Sequence, residues 1–225
     1  MGRKKQRQRR SDTNKKFLLV TNGKVTEKSY LKFIERRINN IDNRGCQVKT
    51  LPIDGGDPLS VLNRLQSPQG DTSDYDQVWI VIDEDGDYGK KITEFVNTCK
   101  KLEYQGVVSV PCFEVWLVAH RVKVKRYPNQ AAAQQHWEEV YGLEKGSKEI
   151  PDNFRYQDFL IAAKNCCVCN DYGEEQPIPK PNTISELPAT PMPHLFDALA
   201  EAIAQSRKVS REEAVCIIQE AFAQR

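Results

Sequence analysis

A chain of 225 residues with 39% hydrophobic and 28% charged content is long enough for one large domain with a substantial core. No apolar run approaches the roughly 18 residues of a bilayer span, and the first sixteen residues lack the apolar stretch of a secretory signal. Seven irregularly placed cysteines do not read as a disulfide framework, so a cytoplasmic protein with no membrane association is expected.

The net charge of +2 conceals an uneven distribution. Residues 1–16 carry Arg3, Lys4, Lys5, Arg7, Arg9, Arg10, Lys15 and Lys16 against Asp12 alone, a local +7; the rest holds 25 bases and 30 acids, a net of −5. Such an arm cannot bury apolar surface and is expected to be disordered when free. Two roles fit it: holding nucleic acid through phosphate counterion release, or solubilising the chain.

Phe17-Leu18-Leu19-Val20 is a short apolar run, as expected for a strand covered on both faces, and it ends at Thr21-Asn22-Gly23. Thr26 then reads as an N-cap, with Glu27 in the first turn and Leu31, Ile34 and Ile38 at helical spacing. A weaker strand over 46–53, a turn through Gly55, Gly56 and Pro58, and a short helix with Leu59, Leu62 and Leu65 repeat the unit. After a polar loop, Val78-Trp79-Ile80-Val81-Ile82 is the clearest strand and runs into Asp83-Glu84-Asp85-Gly86-Asp87. A helix with Ile92, Phe95, Val96, Cys99 and Leu102 follows, then a strand over 107–110 and a helix from Pro111 to His120.

This alternation predicts an α/β fold over 17–120, a mostly parallel sheet with helices on both faces and ligands at the carboxyl ends of its strands. Residues 121–225 read as a helical elaboration packed on that core. Helices are expected at 136–141 and 156–169, then two amphipathic helices, the second opened by a capping box of Ser210 and Glu213.

Asp83 and Asp85 are two apart at the end of a buried strand, so in extended backbone their side chains leave on one side. At a separation near 4 Å two carboxylates repel by about 1 kcal/mol in water and about 4 kcal/mol at intermediate dielectric, which argues for a cation. Mg²⁺ or Mn²⁺ is the natural candidate, because these hard ions take carboxylate oxygens and keep waters that a phosphate can displace. The same residues are also good turn formers. An EF-hand fits less well, since Tyr88 stands where that loop needs glycine.

A parallel sheet places Glu114 and Glu27 on the same rim, where each also suits the first turn of a helix through its dipole. Arg121, Lys123, Lys125 and Arg126 alternate with Val122 and Val124, which fits either a nucleic-acid backbone contact or a solvated strand edge. Cys166, Cys167 and Cys169 have no second pair to complete a zinc site, and His120 and His136 are expected to be structural or surface residues.

With these residues in hand, the sequence resembles the RloB-like proteins, a Toprim-related family linked to bacterial antiphage and restriction loci. The likeness rests on the basic arm, on residues 18–30 (LLVTNGKVTEKSY), on Val81-Ile82-Asp83-Glu84-Asp85, on residues 111–120 (PCFEVWLVAH) and, more loosely, on Asn182-Thr183 before the helix at Leu195. The resemblance implies a Toprim-like fold with Asp83 and Asp85 as the metal-binding pair. It implies a magnesium-dependent nuclease-like domain, acting on DNA or RNA in abortive infection and often partnered by an ATPase; a homo-oligomer is compatible with it. One departure stands out: where the family has Glu-Gly, this chain has Asn22-Gly23, and Asn is neutral and takes up no proton near neutral pH.

Two readings follow from the sequence. The first is a metal-dependent nuclease with Asp83, Asp85 and Glu114 as ligands, Glu27 and Glu114 as candidates to orient the attacking water, and basic residues holding the substrate. The second is a catalytically weakened Toprim-like module that binds nucleic acid or a partner ATPase without cleaving. A primase or topoisomerase fragment is disfavoured, because no accompanying catalytic domain is evident.

Overall fold

The computed structural model describes residues 14–41, 45–53, 56–67, 70–84, 89–169 and 173–224. Four strands, β1 (Lys15–Thr21), β2 (Cys46–Pro52), β3 (Gln77–Asp83) and β4 (Gln105–Ser109), form one sheet in the order β2-β1-β3-β4 with every pair parallel. The α/β prediction therefore holds, and the arrangement is consistent with a Toprim-like α/β fold. β1 opens two residues earlier than the apolar run indicated: Lys15 and Lys16, counted above with the basic arm, pair with Cys46 and Gln47 of β2. Arg3, Lys4, Lys5, Arg7, Arg9 and Arg10 lie outside the described residues.

Side chains alternate across the strands, and the two faces sort into two cores. Leu18, Val20, Val78, Ile80, Ile82 and Val108 pack with α2 (Pro58–Gln66) and α3 (Gly89–Lys101) through Val61, Leu62, Leu65, Ile92, Phe95 and Cys99. Phe17, Leu19, Trp79, Val81 and Val107 face the other side, against α1 (Thr26–Ile41) and α4 (Glu114–Ala119). Because the chain leaves β1 toward β2 on one side and reaches β3 on the other, the strand order reverses between β1 and β3. In open parallel sheets that crevice is where ligands bind.

The C-terminal helices enlarge the second face. α5 (Gln130–Tyr141) lies against α4 and α6 (Phe159–Asn165) also contacts it, while α7 (Met192–Arg207) and α8 (Arg211–Ala223) pack on each other, α7 contacting β2 and α8 contacting α1. The capping box is present, with Ser210 accepting from the Glu213 amide and Glu213 accepting from the Ser210 amide. No helix among the described residues is long and apolar enough to cross a membrane.

Local chemistry corrects four sequence assignments. Thr26 does not cap α1: its hydroxyl donates to the Lys148 carbonyl at 2.7 Å, and Val25 supplies the first helical carbonyl, to the Ser29 amide. Pro111 follows a cis peptide and precedes the helix, which begins at Glu114. α5 starts at Gln130, well before 136, where the Asn129 side chain accepts from the Ala132 amide. The expected helix over 156–169 is a 3₁₀ turn (Tyr156–Asp158) and α6, which stops at Asn165; Cys166 and Cys167 are buried beyond its end and Cys169 bridges to Glu175.

Candidate functional site

The carboxyl edge of the sheet collects the residues that follow β1, β3 and β4. Asp83 closes β3 opposite Ser109, the last residue of β4, and the next amide, Glu84, donates to the Ser109 carbonyl at 2.9 Å. Residues 110–113 then turn the chain over this edge, and the Phe113 amide donates to Asp83 Oδ1 at 2.8 Å. The bond fixes the half-buried Asp83 carboxylate and sets the start of α4 beside it. Asp85 lies outside the described residues.

Glu114 is the first residue of α4 and only 4% exposed. Its Oε2 has no hydrogen-bond partner, and the nearest cation to its Oε1 is Lys148 Nζ at 3.8 Å. Removing a carboxylate from water costs several kcal/mol unless partners compensate it, so an orphaned oxygen marks a place where a cation or donor belongs. Cys112 is buried between the same groups: burial first, then the charges of Glu114 and Asp83, push its thiol well above the ordinary range. Nothing in the sequence pattern singled out Cys112.

α4 is held in place by an aromatic cluster. Tyr30 of α1 meets Phe113, Trp116, His120 and Phe154 edge to face. His120, one turn beyond Trp116, has Nδ1 3.1 Å from the Arg155 carbonyl and Nε2 3.1 Å from the Tyr30 hydroxyl. A carbonyl can only accept, so Nδ1 carries the proton and Nε2 accepts from tyrosine. Burial depresses the imidazole to about 3, which leaves it neutral. His136 meets the Tyr127 hydroxyl at 2.7 Å. Both histidines are spent on packing, and much of the 111–120 segment serves to aim Glu114.

On the β1 side, Glu27 folds back over Gly23, where a Cβ on the glycine would stand 2.2 Å from the Glu27 carboxyl carbon. The Gly23 amide donates to Thr21 Oγ1 at 2.9 Å. Asn22 follows β1 on the same edge, but its amide nitrogen donates to the Gly56 carbonyl at 3.3 Å, in the turn after β2. A carboxylate could not make that bond.

The basic strip is not a strand. Val124 is buried with its amide on the Asn165 carbonyl, while Arg121, Lys123, Lys125 and Arg126 are exposed. Arg121 donates to the Val140 carbonyl and lies over the Tyr141 ring, and Lys123 pairs with Glu175 at 2.8 Å. The strip starts at the opposite end of α4 from Glu114, so the length of that helix, about 9 Å for six residues, lies between them. A groove of about 860 Å³ lined by Asn129, Gln135, Glu139, Leu143 and Gly146 contains none of the predicted site residues.

Among the described residues, no three His, Cys, Asp or Glu side chains are close enough together to form a ready metal cage. The described part of the site is therefore a pair of carboxylates, Asp83 and Glu114, with the Glu27 carboxylate at the neighbouring β1 turn. The donor set still suits a hard divalent ion: the oxygens are carboxylate, one is buried without a partner, and such ions keep several waters in place of protein ligands.

Comparison with curated proteins and with solved structures returns no match. A family model described as RloB-like protein matches residues 17–215, the strands, the acidic rim and most of the C-terminal helices included. The chain belongs to the RloB-like family.

Proposed function

We propose that the protein is a divalent-metal-dependent nuclease-like effector that acts on nucleic-acid phosphodiesters. The observation that carries this reading is the unpartnered oxygen of buried Glu114, held beside Asp83 at the carboxyl ends of β3 and β4. Asp83, Asp85 and Glu114 would hold Mg²⁺ or Mn²⁺, which when bound supplies charge stabilisation to a phosphoryl oxygen and lowers the pKa of a coordinated water. The chain's own residues do the rest. The Phe113 amide fixes Asp83, the aromatic cluster fixes α4, and Glu27, folded over Gly23, would accept a proton from water at the β1 end. The basic arm and the strip at 121–126 supply further phosphate contacts. A role in cytoplasmic phage defence, with an ATPase partner, is what likeness to RloB-like proteins implies.

A second reading has its own support. Asn22 is built into the turn through Gly56, at a position where the resemblance implies an acid, which favours a module that binds nucleic acid or a partner without cutting. Incubating the full chain with labelled DNA, RNA and tRNA in Mg²⁺ or Mn²⁺ separates the two. The nuclease reading expects cleavage that Asp83→Ala abolishes. Metal-dependent binding without cleavage in the wild type would give the second reading precedence.

A further inference from the structure

We infer that Lys148, delivered from the C-terminal elaboration, is a phosphate-binding residue of the acidic site, where it contacts a nonbridging oxygen of the nucleic-acid backbone. The inference rests on the nuclease-like reading and adds a residue to it from outside the sheet. Lys148 Nζ stands 3.8 Å from Glu114 Oε1, while its side chain is 49% exposed. The ammonium thus spans the buried carboxylate and open solvent.

Its geometry differs from that of the protein's closed ion pairs. Lys32 meets Glu35 and Lys91 meets Asp57 at 2.7 Å, within hydrogen-bond contact. Lys148 stops more than 1 Å short of that, and Glu114 Oε2 remains without a partner although a lysine is near. Lys49 stands off from Glu35 in the same way, at 3.9 Å, but there Lys32 already closes on the carboxylate, whereas Glu114 has no such nearer cation among the described residues. An ammonium that holds back at the mouth of the site leaves room for a metal on the carboxylate and keeps its own three donors for an incoming anion.

The backbone shows that the lysine is placed rather than stray. The Lys148 carbonyl accepts from the buried Thr26 hydroxyl at 2.7 Å, which ties the loop to the first residue of α1, next to Glu27. The loop is fixed upstream as well: Ser147 donates to the Glu144 carbonyl, and the Gly146 amide donates to the Glu138 carboxylate, with Gly146 at a φ of 81° that favours glycine. A carboxylate pair alone would repel a phosphodiester; a fixed ammonium beside it offsets that repulsion.

The test uses the full chain as wild type, Lys148→Met and Lys148→Arg. Fluorescein-labelled single-stranded DNA and RNA are titrated by anisotropy over a range of salt, and Mn²⁺ alone is titrated by electron paramagnetic resonance. Lys148→Met is expected to weaken oligonucleotide binding about fivefold at low salt and to reduce the salt slope by about one, with Lys148→Arg restoring both. Mn²⁺ affinity should stay equal or rise in Lys148→Met, because a competing cation has gone. Unchanged oligonucleotide binding in Lys148→Met would overturn the inference and leave the nuclease reading standing. So would weaker Mn²⁺ binding in that variant, since Lys148 would then merely support Glu114. If the wild type takes up neither Mn²⁺ nor oligonucleotide, the nuclease reading fails and this inference fails with it.

Discussion

The two halves of the carboxyl edge are built differently. At the β3–β4 end, acids are held by the backbone and by burial: Asp83 receives the Phe113 amide, and Glu114 enters the core on a helix locked by Tyr30, Trp116 and His120. At the β1–β2 end the corresponding position is neutral, and Asn22 spends its donor on Gly56. The first half is costly to maintain without a cation, whereas the second would be harmed by one more charge. A protein keeps an undercompensated buried acid only where something other than stability selects it.

The largest contrast should appear on removing Glu114. Glu114→Met keeps the volume while deleting the orphaned oxygen, and Lys148 can return to water. Metal-dependent activity should fall by about 100-fold or more, as expected for losing a ligand whose supporting partners alone are worth 10- to 100-fold. Thermal or urea unfolding of the metal-free protein should meanwhile show a gain of about 1–2 kcal/mol, because an unsatisfied buried acceptor has been removed. A destabilised Glu114→Met would mean that the carboxylate is a structural partner of Lys148.

The Gly23–Glu27 contact tests the other half. Gly23→Ala would drive a Cβ into the Glu27 carboxylate, which sits at the far end of a flexible side chain and can move aside. The expected result is a melting temperature within a few degrees of wild type, with activity reduced at least tenfold if Glu27 handles the proton. Equal activity in the two proteins would remove Glu27 from the site.

The packing behind the acidic half has a pH signature. His120 is held neutral with its folded pKa depressed to about 3, against about 6.5 when unfolded. The unfolded chain therefore binds more protons between these values, and stability present above pH 6.5 is lost as the pH falls toward 3. The loss from this residue should reach about 2 kcal/mol at pH 5. Urea unfolding from pH 7.5 to 5 should show it, and His120→Gln, less stable at neutral pH, should show a flatter profile. A wild-type profile as flat as that of His120→Gln would contradict the neutral buried imidazole.

How far the sequence led depended on whether the determining contacts were local. The strands and both sheet faces were readable, since Phe17 and Leu19 alternate with Leu18 and Val20, and the rim followed from parallel topology. The capping box of Ser210 was readable because both partners lie within three residues. Thr26 was misassigned because its hydroxyl bonds a carbonyl 122 positions away, and a local cap could not be told from that distant partner. Cys112 and Lys148 were missed for the same reason: neither has a motif of its own, and each matters only through the fold that sets it beside Glu114. A lysine two residues after a glycine in an otherwise plain loop carries no signal until Thr26 is seen to hold it.

The smallest expected effect concerns Asn22, where the contrast between the two halves is sharpest. Asn22→Glu puts a carboxylate at the β1 end of the edge, but it also removes the donor to the Gly56 carbonyl and adds a charge at the edge that holds Asp83. Without metal the variant should be less stable by about 1 kcal/mol, the combined cost of a weak exposed hydrogen bond and of repulsion between screened carboxylates. With Mg²⁺ or Mn²⁺ the sign should reverse: a further negative ligand tightens binding, so stability rises with metal concentration more steeply than in wild type. Thermal unfolding across a Mn²⁺ titration reads both effects, and cleavage assays on the same samples read the third, an increase in any nuclease activity. If the wild type cleaves and Asn22→Glu cleaves less, the bond from Asn22 to Gly56 belongs to a working site that has been rebuilt around a neutral residue. If metal fails to stabilise either form, the acidic half holds its orphaned carboxylate for something other than a divalent ion, and the binding-module reading becomes the stronger account.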